Sequence, residues 1–212
     1  MKYHTVIFDF DGTIADTEKI FLETINALAS EFGFAPVRLE EVPELRKMSA
    51  RRLLVERLHV PLWNIWKIYK LEKRGKELFT SRVAEVQVFS GMKELMEQLR
   101  RAGCRVGVVS SNGDGVVAKV LQTATIPVDF MHGGSRAFGK ARALKNVLAG
   151  QGIDPATTLY VGDEVRDVEA CRKVGIDVVA VSWGYNDAQS LREAGAEVVR
   201  DRDALLKKII ET

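Results

Sequence analysis

The sequence predicts an α/β protein: a doubly wound, mainly parallel sheet with a helical insertion after its first strand. Short apolar runs, "TVIFDF", "RVGVVSS", "TLYVGD" and "DVVAVSW", alternate with segments whose apolar residues recur every three or four positions. That alternation is the pattern of strand–helix units in a parallel sheet. It breaks once, between Thr17 and Val86, where every apolar repeat reads as helix. A chain of 212 residues has room for a medium domain carrying such an insertion.

The elements follow in order. The first strand runs into Asp9 and Asp11, and Gly12 lets the chain turn sharply behind them. Ile20, Phe21, Ile25, Leu28 and Phe32 then share one face of a helix that Gly33 ends. Leu53, Leu54 and Leu58 mark a second helix. The stretch 62–79 holds Trp63, Ile65, Trp66, Ile68, Tyr69 and Leu71, too densely apolar for a solvated linker. A helical domain at 17–86 and a Rossmann-like core of 1–16 and 87–212 are therefore expected. Met92, Leu95, Met96 and Leu99 make the next helix, with Gly103 as its stop, and "RVGVV" the next strand. Val116, Val117, Val120 and Leu121 form a further stripe, followed by the strand "VDFMH". Ala141, Leu144, Val147 and Leu148 form another, ending near Gly150 and Gly152. Two more strands and a helix near 203–210 close the chain.

Composition bounds the function. With 46% apolar and 28% charged residues the chain reads as a soluble globular protein able to bury a core without staples. Cys104 and Cys171 then read as small core residues in a reducing compartment. His4, His59 and His132 are scattered, so no Cys/His metal spacing exists. The first strand follows the N-terminus too closely for a signal peptide, and no apolar run approaches the roughly eighteen residues of a membrane span. A cytoplasmic location without membrane contact is expected, as a monomer or a homodimer. Between Arg38 and Arg82, twelve Lys/Arg face six Asp/Glu, so this segment carries +6 and the remainder −4. A basic segment in an otherwise acidic chain suits an anionic ligand, although a solvated helical face reads the same way. No aromatic-interleaved basic motif points to nucleic acid.

Ligands of open parallel sheets bind beyond the carboxyl ends of the strands. Four strand ends here are polar: Asp9 with Asp11; Ser110, Ser111 and Asn112; Asp163 with Asp167; and Ser182. Any one alone reads as a helix N-cap. Together, Asp9, Asp11, Asp163 and Asp167 would crowd one small region, where carboxylates raise each other's pKa unless a hard cation joins them. Mg²⁺, with oxygen ligands from carboxylates, water and phosphate, suits such a cluster. "SSNGDG" supplies hydroxyls and backbone N–H groups for a phosphate, and Lys140, opening a helix just past a strand, can point at the same anion.

These residues carry a resemblance. "DFDGT" at 9–13 resembles the first motif, Asp-x-Asp-Gly-Thr, of the haloacid-dehalogenase-like phosphohydrolases. Ser110, Lys140 and "GDEVRD" at 162–167 resemble its second, third and fourth motifs, in the same order. The insertion resembles that family's helical cap of the first type, and "SWGYND" resembles a stretch of its phosphoglycolate phosphatase group. The resemblance implies an Mg²⁺-dependent phosphatase of a small phosphorylated metabolite. Asp9 would be the nucleophile and Asp11 the general acid and base, with Thr13 hydrogen-bonding to hold Asp11. Mg²⁺ would be held by Asp9, the Asp11 carbonyl and Asp163, with Asp167 direct or through water, and Glu164 would act behind them. Ser110, Ser111 and Lys140 would take the phosphoryl oxygens. Arg46 and Lys47, in the cap, are candidates for a second anionic group on the substrate, while Arg51 and Arg52 read as solvent-facing. Asp11 sets dehalogenation aside. A phosphomutase on the same fold and a non-catalytic phosphoacceptor remain the alternatives.

Overall fold

The computed structural model describes residues 2–134 and 139–211. Its strands are β1 (Thr5–Phe8), β2 (Ala15–Asp16), β3 (Gln87–Val88), β4 (Arg105–Val109), β5 (Phe130–His132), β6 (Thr158–Gly162), β7 (Asp177–Val181) and β8 (Glu197–Val199). Its α-helices are α1 (Glu18–Phe32), α2 (Val42–Leu45), α3 (Ala50–Arg52, continued by a π-helical turn at Leu53–Arg57), α4 (Ile65–Ser81), α5 (Met92–Arg101), α6 (Asp114–Thr123), α7 (Lys140–Gln151), α8 (Val165–Val174), α9 (Ala188–Glu193) and α10 (Arg202–Ile210).

Six strands form one sheet in the order β5-β4-β1-β6-β7-β8, and every pairing in it is parallel. The sheet is therefore wholly parallel where the sequence suggested mainly parallel. The period of two along β1 sorts its side chains between two helix layers. Val6 and Phe8 join the core shared with α5, α6 and α10, whereas Ile7 joins the core shared with α7 and α8. Burial on both faces explains why the strands read as continuous apolar runs.

Between β2 and β3 the chain departs into helices α1 to α4. A two-residue antiparallel ladder, Ala15 with Val88 and Asp16 with Gln87, ties its exit to its return. Inside this excursion Leu28, Leu58, Val60 and Leu71 make a separate small core. A second cluster, Ile20 and Phe79 against Val116 of α6, packs the excursion onto the sheet domain.

Two features depart from the sequence reading. The apolar stretch after Leu62 does become a helix, but Trp63, Ile65 and Trp66 lie 80%, 72% and 78% exposed. Its buried residues are Leu71 and Phe79 instead. The strand β8 and helix α9, short and charged, were not expected. Cys104 and Cys171 are both buried, as anticipated. Among the described residues no helix is long and apolar enough to cross a membrane.

Burial predicts where substitution matters. Leu99 is fully buried, so Leu99→Ala is expected to lower the urea-unfolding free energy by about 2–5 kcal/mol. Trp66→Ala, on the exposed face, is expected to stay within about 0.5 kcal/mol of the parent.

Candidate active site

Asp9 and Asp11 follow β1, the strand lying between β4 and β6 in the middle of the sheet. Ser110 follows β4, Asp163 follows β6, and Lys140 opens α7. Neighbouring parallel strands end side by side, so residues far apart in sequence meet at one edge. Asp9, Asp163 and Asp167 are all buried, and each can offer a carboxylate oxygen within 4.8 Å of the others.

Lys140, also buried, stands between two of them. Its Nζ lies 2.8 Å from Asp9 Oδ2 and forms an ion pair with Asp167. Asp167 Oδ2 also accepts the backbone N–H groups of Asp163 (3.2 Å) and Glu164 (3.1 Å), which locks it at the start of α8. Asp163 accepts from the Thr13 hydroxyl at 2.7 Å and from the backbone N–H of Tyr185 at 2.7 Å. Thr13 therefore holds Asp163 and not Asp11, because the turn at Gly12 carries it across to β6. Asp11 is held instead by the Asn112 side-chain amide, at 3.0 and 2.8 Å, and by the Thr17 hydroxyl at 3.2 Å.

Two glycines leave room for Asp163. Gly12 has φ of +72, and a Cβ there would lie 2.2 Å from Asp163 Oδ2. A Cβ on Gly184 would lie 2.3 Å from the same carboxylate. Any side chain at either position would push Asp163 out of the cluster.

Electrostatics follows from dryness. Burial raises the Asp9 pKa to about 7, against the downward pull of Lys140 and with Asp167 pushing it further up. Burial raises Asp11 to about 6, opposed by Arg166 and by the Thr17 hydrogen bond. Asp163 is pushed well up by burial and then by Glu164 and Asp9. Burial alone would lower Lys140, but Asp167 and Asp9 outweigh it and the net shift is upward. Asp9 Oδ2 is buried without a hydrogen bond of acceptable geometry even though Lys140 is near. An all-oxygen donor set, an acceptor left over and carboxylates held above their ordinary pKa together fit a hard divalent cation.

The remaining expected residues separate into groups. Ser110 is buried, its N–H bonded to the His132 carbonyl at 3.0 Å and its hydroxyl accepting from the Asn112 N–H at 3.0 Å. Ser111 is half-buried and lines a cavity of ≈ 330 Å³ that also takes in Asp11, Glu164 and the helical excursion. Arg46 lines this cavity too, but it is committed to Glu18 at 2.7 Å. Lys47 pairs with Glu44 at 2.7 Å and is largely exposed. Arg51 and Arg52 are exposed, Arg52 bonding Glu56.

Several residues escaped the sequence reading. Arg166 lies inside "GDEVRD" and binds Glu164 at 2.8 Å through Nε. Its position between two motif acids was the available signal. Tyr185 OH sits 2.5 Å from the Thr17 hydroxyl. Asn186 accepts the Val165 N–H at 2.9 Å and donates to the carbonyls of Arg46 (2.8 Å) and Met48 (3.0 Å), joining the excursion to the sheet domain.

Comparison with known proteins agrees with this geometry. Residues 6–181 match the family model of haloacid dehalogenase-like hydrolases. The chain is 36% identical over 188 residues to a phosphoglycolate phosphatase of Synechococcus elongatus, covering 88% of this chain and 87% of the relative. It is 25% identical to an N-acetylmuramic acid 6-phosphate phosphatase of Pseudomonas aeruginosa, covering 100% and 96%. In fold it is similar to a predicted phosphatase from Clostridium acetobutylicum, with a TM-score of 0.82 at 20% identity over 99% of both chains.

The raised carboxyl pKa values have a signed consequence. Exposed aspartates protonate near pH 4, whereas Asp9 and Asp11 do so at about 7 and about 6 in the folded chain. Between those values these two groups hold more protons in the folded chain than in the unfolded one, so their contribution to stability falls as pH rises. Metal-stripped protein is expected to show a Tm that declines as pH rises from about 4 through about 7, with Asp163 acting in the same direction. Adding a divalent cation above pH 7 is expected to restore it. Thermal melts with and without chelator check both.

Proposed function

Because this chain belongs to the haloacid dehalogenase-like hydrolases, we propose that it is a magnesium-dependent cytoplasmic phosphatase working through an aspartyl-phosphate. Its substrate is a small phosphorylated metabolite, and phosphoglycolate and sugar phosphates are the first to try. Residues 17–86 act as a cap over a core of 1–16 and 87–212. One observation carries the reading: two buried carboxyls leave the tip of a central strand with different partners, Asp9 against Lys140 and Asp11 against Asn112.

Asp9 Oδ attacks phosphorus as the bond to the leaving oxygen breaks. That oxygen takes a proton from Asp11, whose pKa of about 6 lets it hold one near neutrality. Asp11, now a carboxylate, takes a proton from water, whose oxygen attacks phosphorus and releases phosphate from Asp9. Ser110, Ser111 and Lys140 bind the non-bridging oxygens, since phosphoryl transfer depends on positioning and charge stabilisation. Asp9, the Asp11 carbonyl and Asp163 would hold Mg²⁺, with Asp167 direct or through water. The ion supplies positive charge against the phosphoryl oxygens and keeps Asp9 ionised.

Hydrolysis of an aryl phosphate with Mg²⁺ tests the assignment. Asp9→Asn is expected to fall to background. Asp11→Asn is expected to lose about 10²–10⁴ in turnover. It should also accumulate protein heavier by one phosphoryl group, because an aryl leaving group needs no acid but dephosphorylation needs the base. Equal phosphate release by wild type and both variants would refute the roles.

A further inference from the structure

The ≈ 330 Å³ cavity reaches from Asp11, Asn112 and Arg166 into the helical excursion, where Phe21, Leu28, Leu45, Leu54, Ile68 and Phe79 line it. Gly75, in the middle of α4, also lines it. A glycine there weakens the helix but leaves open the space a side chain would take. A Cβ added at Gly75 would make ordinary contact with Leu28 Cδ1 at 3.5 Å and Thr24 Cγ2 at 4.0 Å.

The charges of the lining cancel in pairs. Arg46 binds Glu18 at 2.7 Å, Lys76 binds Glu72 at 3.1 Å and Arg166 binds Glu164 at 2.5 Å. All six of these residues line the cavity. Among the described lining residues, each Lys and Arg thus has its own carboxylate, and Asp11 is left over on the negative side. A carboxylate or second phosphate on the leaving group would have to compete with a carboxylate already in place on each of these cations, most of all at the Arg166–Glu164 pair, the most buried of the three. A neutral apolar body meets no such opposition and gains by leaving water. The basic excess of residues 38–82 contributes only Arg46 and Lys76 to this lining, so it lies mostly elsewhere on the cap.

We infer that the site takes phosphate monoesters whose leaving group is neutral and largely apolar, its body lying in the cavity between α1 and α4. This rests on the phosphatase reading and narrows its substrate class away from carboxylated esters such as phosphoglycolate.

Binding and turnover, measured in parallel on the full chain with Mg²⁺, separate the two readings. The binding ligands are n-alkylphosphonates of increasing length, which cannot be hydrolysed, with phosphonoacetate as the carboxylated counterpart. The substrates are the matching alkyl phosphates, of nearly constant intrinsic reactivity, with phosphoglycolate beside them. Calorimetric Kd is expected to fall about three- to fourfold per methylene until the cavity is full, and kcat/KM to rise in parallel. Phosphonoacetate is expected to bind at least about tenfold more weakly than propylphosphonate. Gly75→Leu, which helix propensity favours, is expected to flatten the chain-length dependence of both quantities. Affinity independent of chain length, preference for phosphonoacetate or phosphoglycolate over an alkyl ligand of equal size, or an undiminished slope in Gly75→Leu would each overturn the inference. A chain-length slope in Kd without turnover of any ester would support the ligand class and sink the phosphatase reading instead.

Discussion

Crowded negative charge in a dry place is the constraint around which the sheet's working edge is organised. Asp9, Asp163 and Asp167 converge where water is largely excluded, and among the described residues Lys140 is the buried cation that stands between them. Left in this state the carboxyls are driven toward protonation. Every surrounding device serves to keep them close: N–H groups at the start of α8, the Thr13 hydroxyl, and backbone positions where no Cβ intrudes. An arrangement that is unfavourable by itself and held by so many contacts is what pre-organisation for an incoming cation and phosphoryl group requires.

The same constraint explains what the sequence could reveal. Asp9, Asp163 and Lys140 were legible because each directly follows or opens a recognisable apolar element, Asp167 because it lies four residues past Asp163, and parallel topology brings such ends together without further information. The partners of Asp11 were not. Asn112 and Thr17 reach it only through the geometry of two loops, and nothing in their spacing distinguishes Thr17 from Thr13. Arg166 was hidden for a different reason: inside a motif, an intervening residue reads as filler until its side chain is seen folded back on Glu164.

The excursion was legible in type and less so in orientation. Period and apolar density pointed to helices, but the exposed Ile65 and Trp66 lie on the outer face of α4, and Trp63 precedes it. The small core formed by Leu28, Leu58, Val60 and Leu71 selects the other face, and only the packing of α1 against α4 decides between them. Strand β8, with Glu197 at its start, lacked the apolar run that announces an interior strand and is found at the edge of the sheet, where such a run is unnecessary.

Asn186 and Asp187 grip the excursion by the main-chain oxygen of Arg46, and Asn186 also by that of Met48. Main-chain oxygens are the same whatever amino acid carries them. The side chains along that loop can therefore change while the clasp that ties the excursion to the sheet domain stays intact. Attachment is in this way carried by the backbone and separated from whatever the side chains of the same few residues contact.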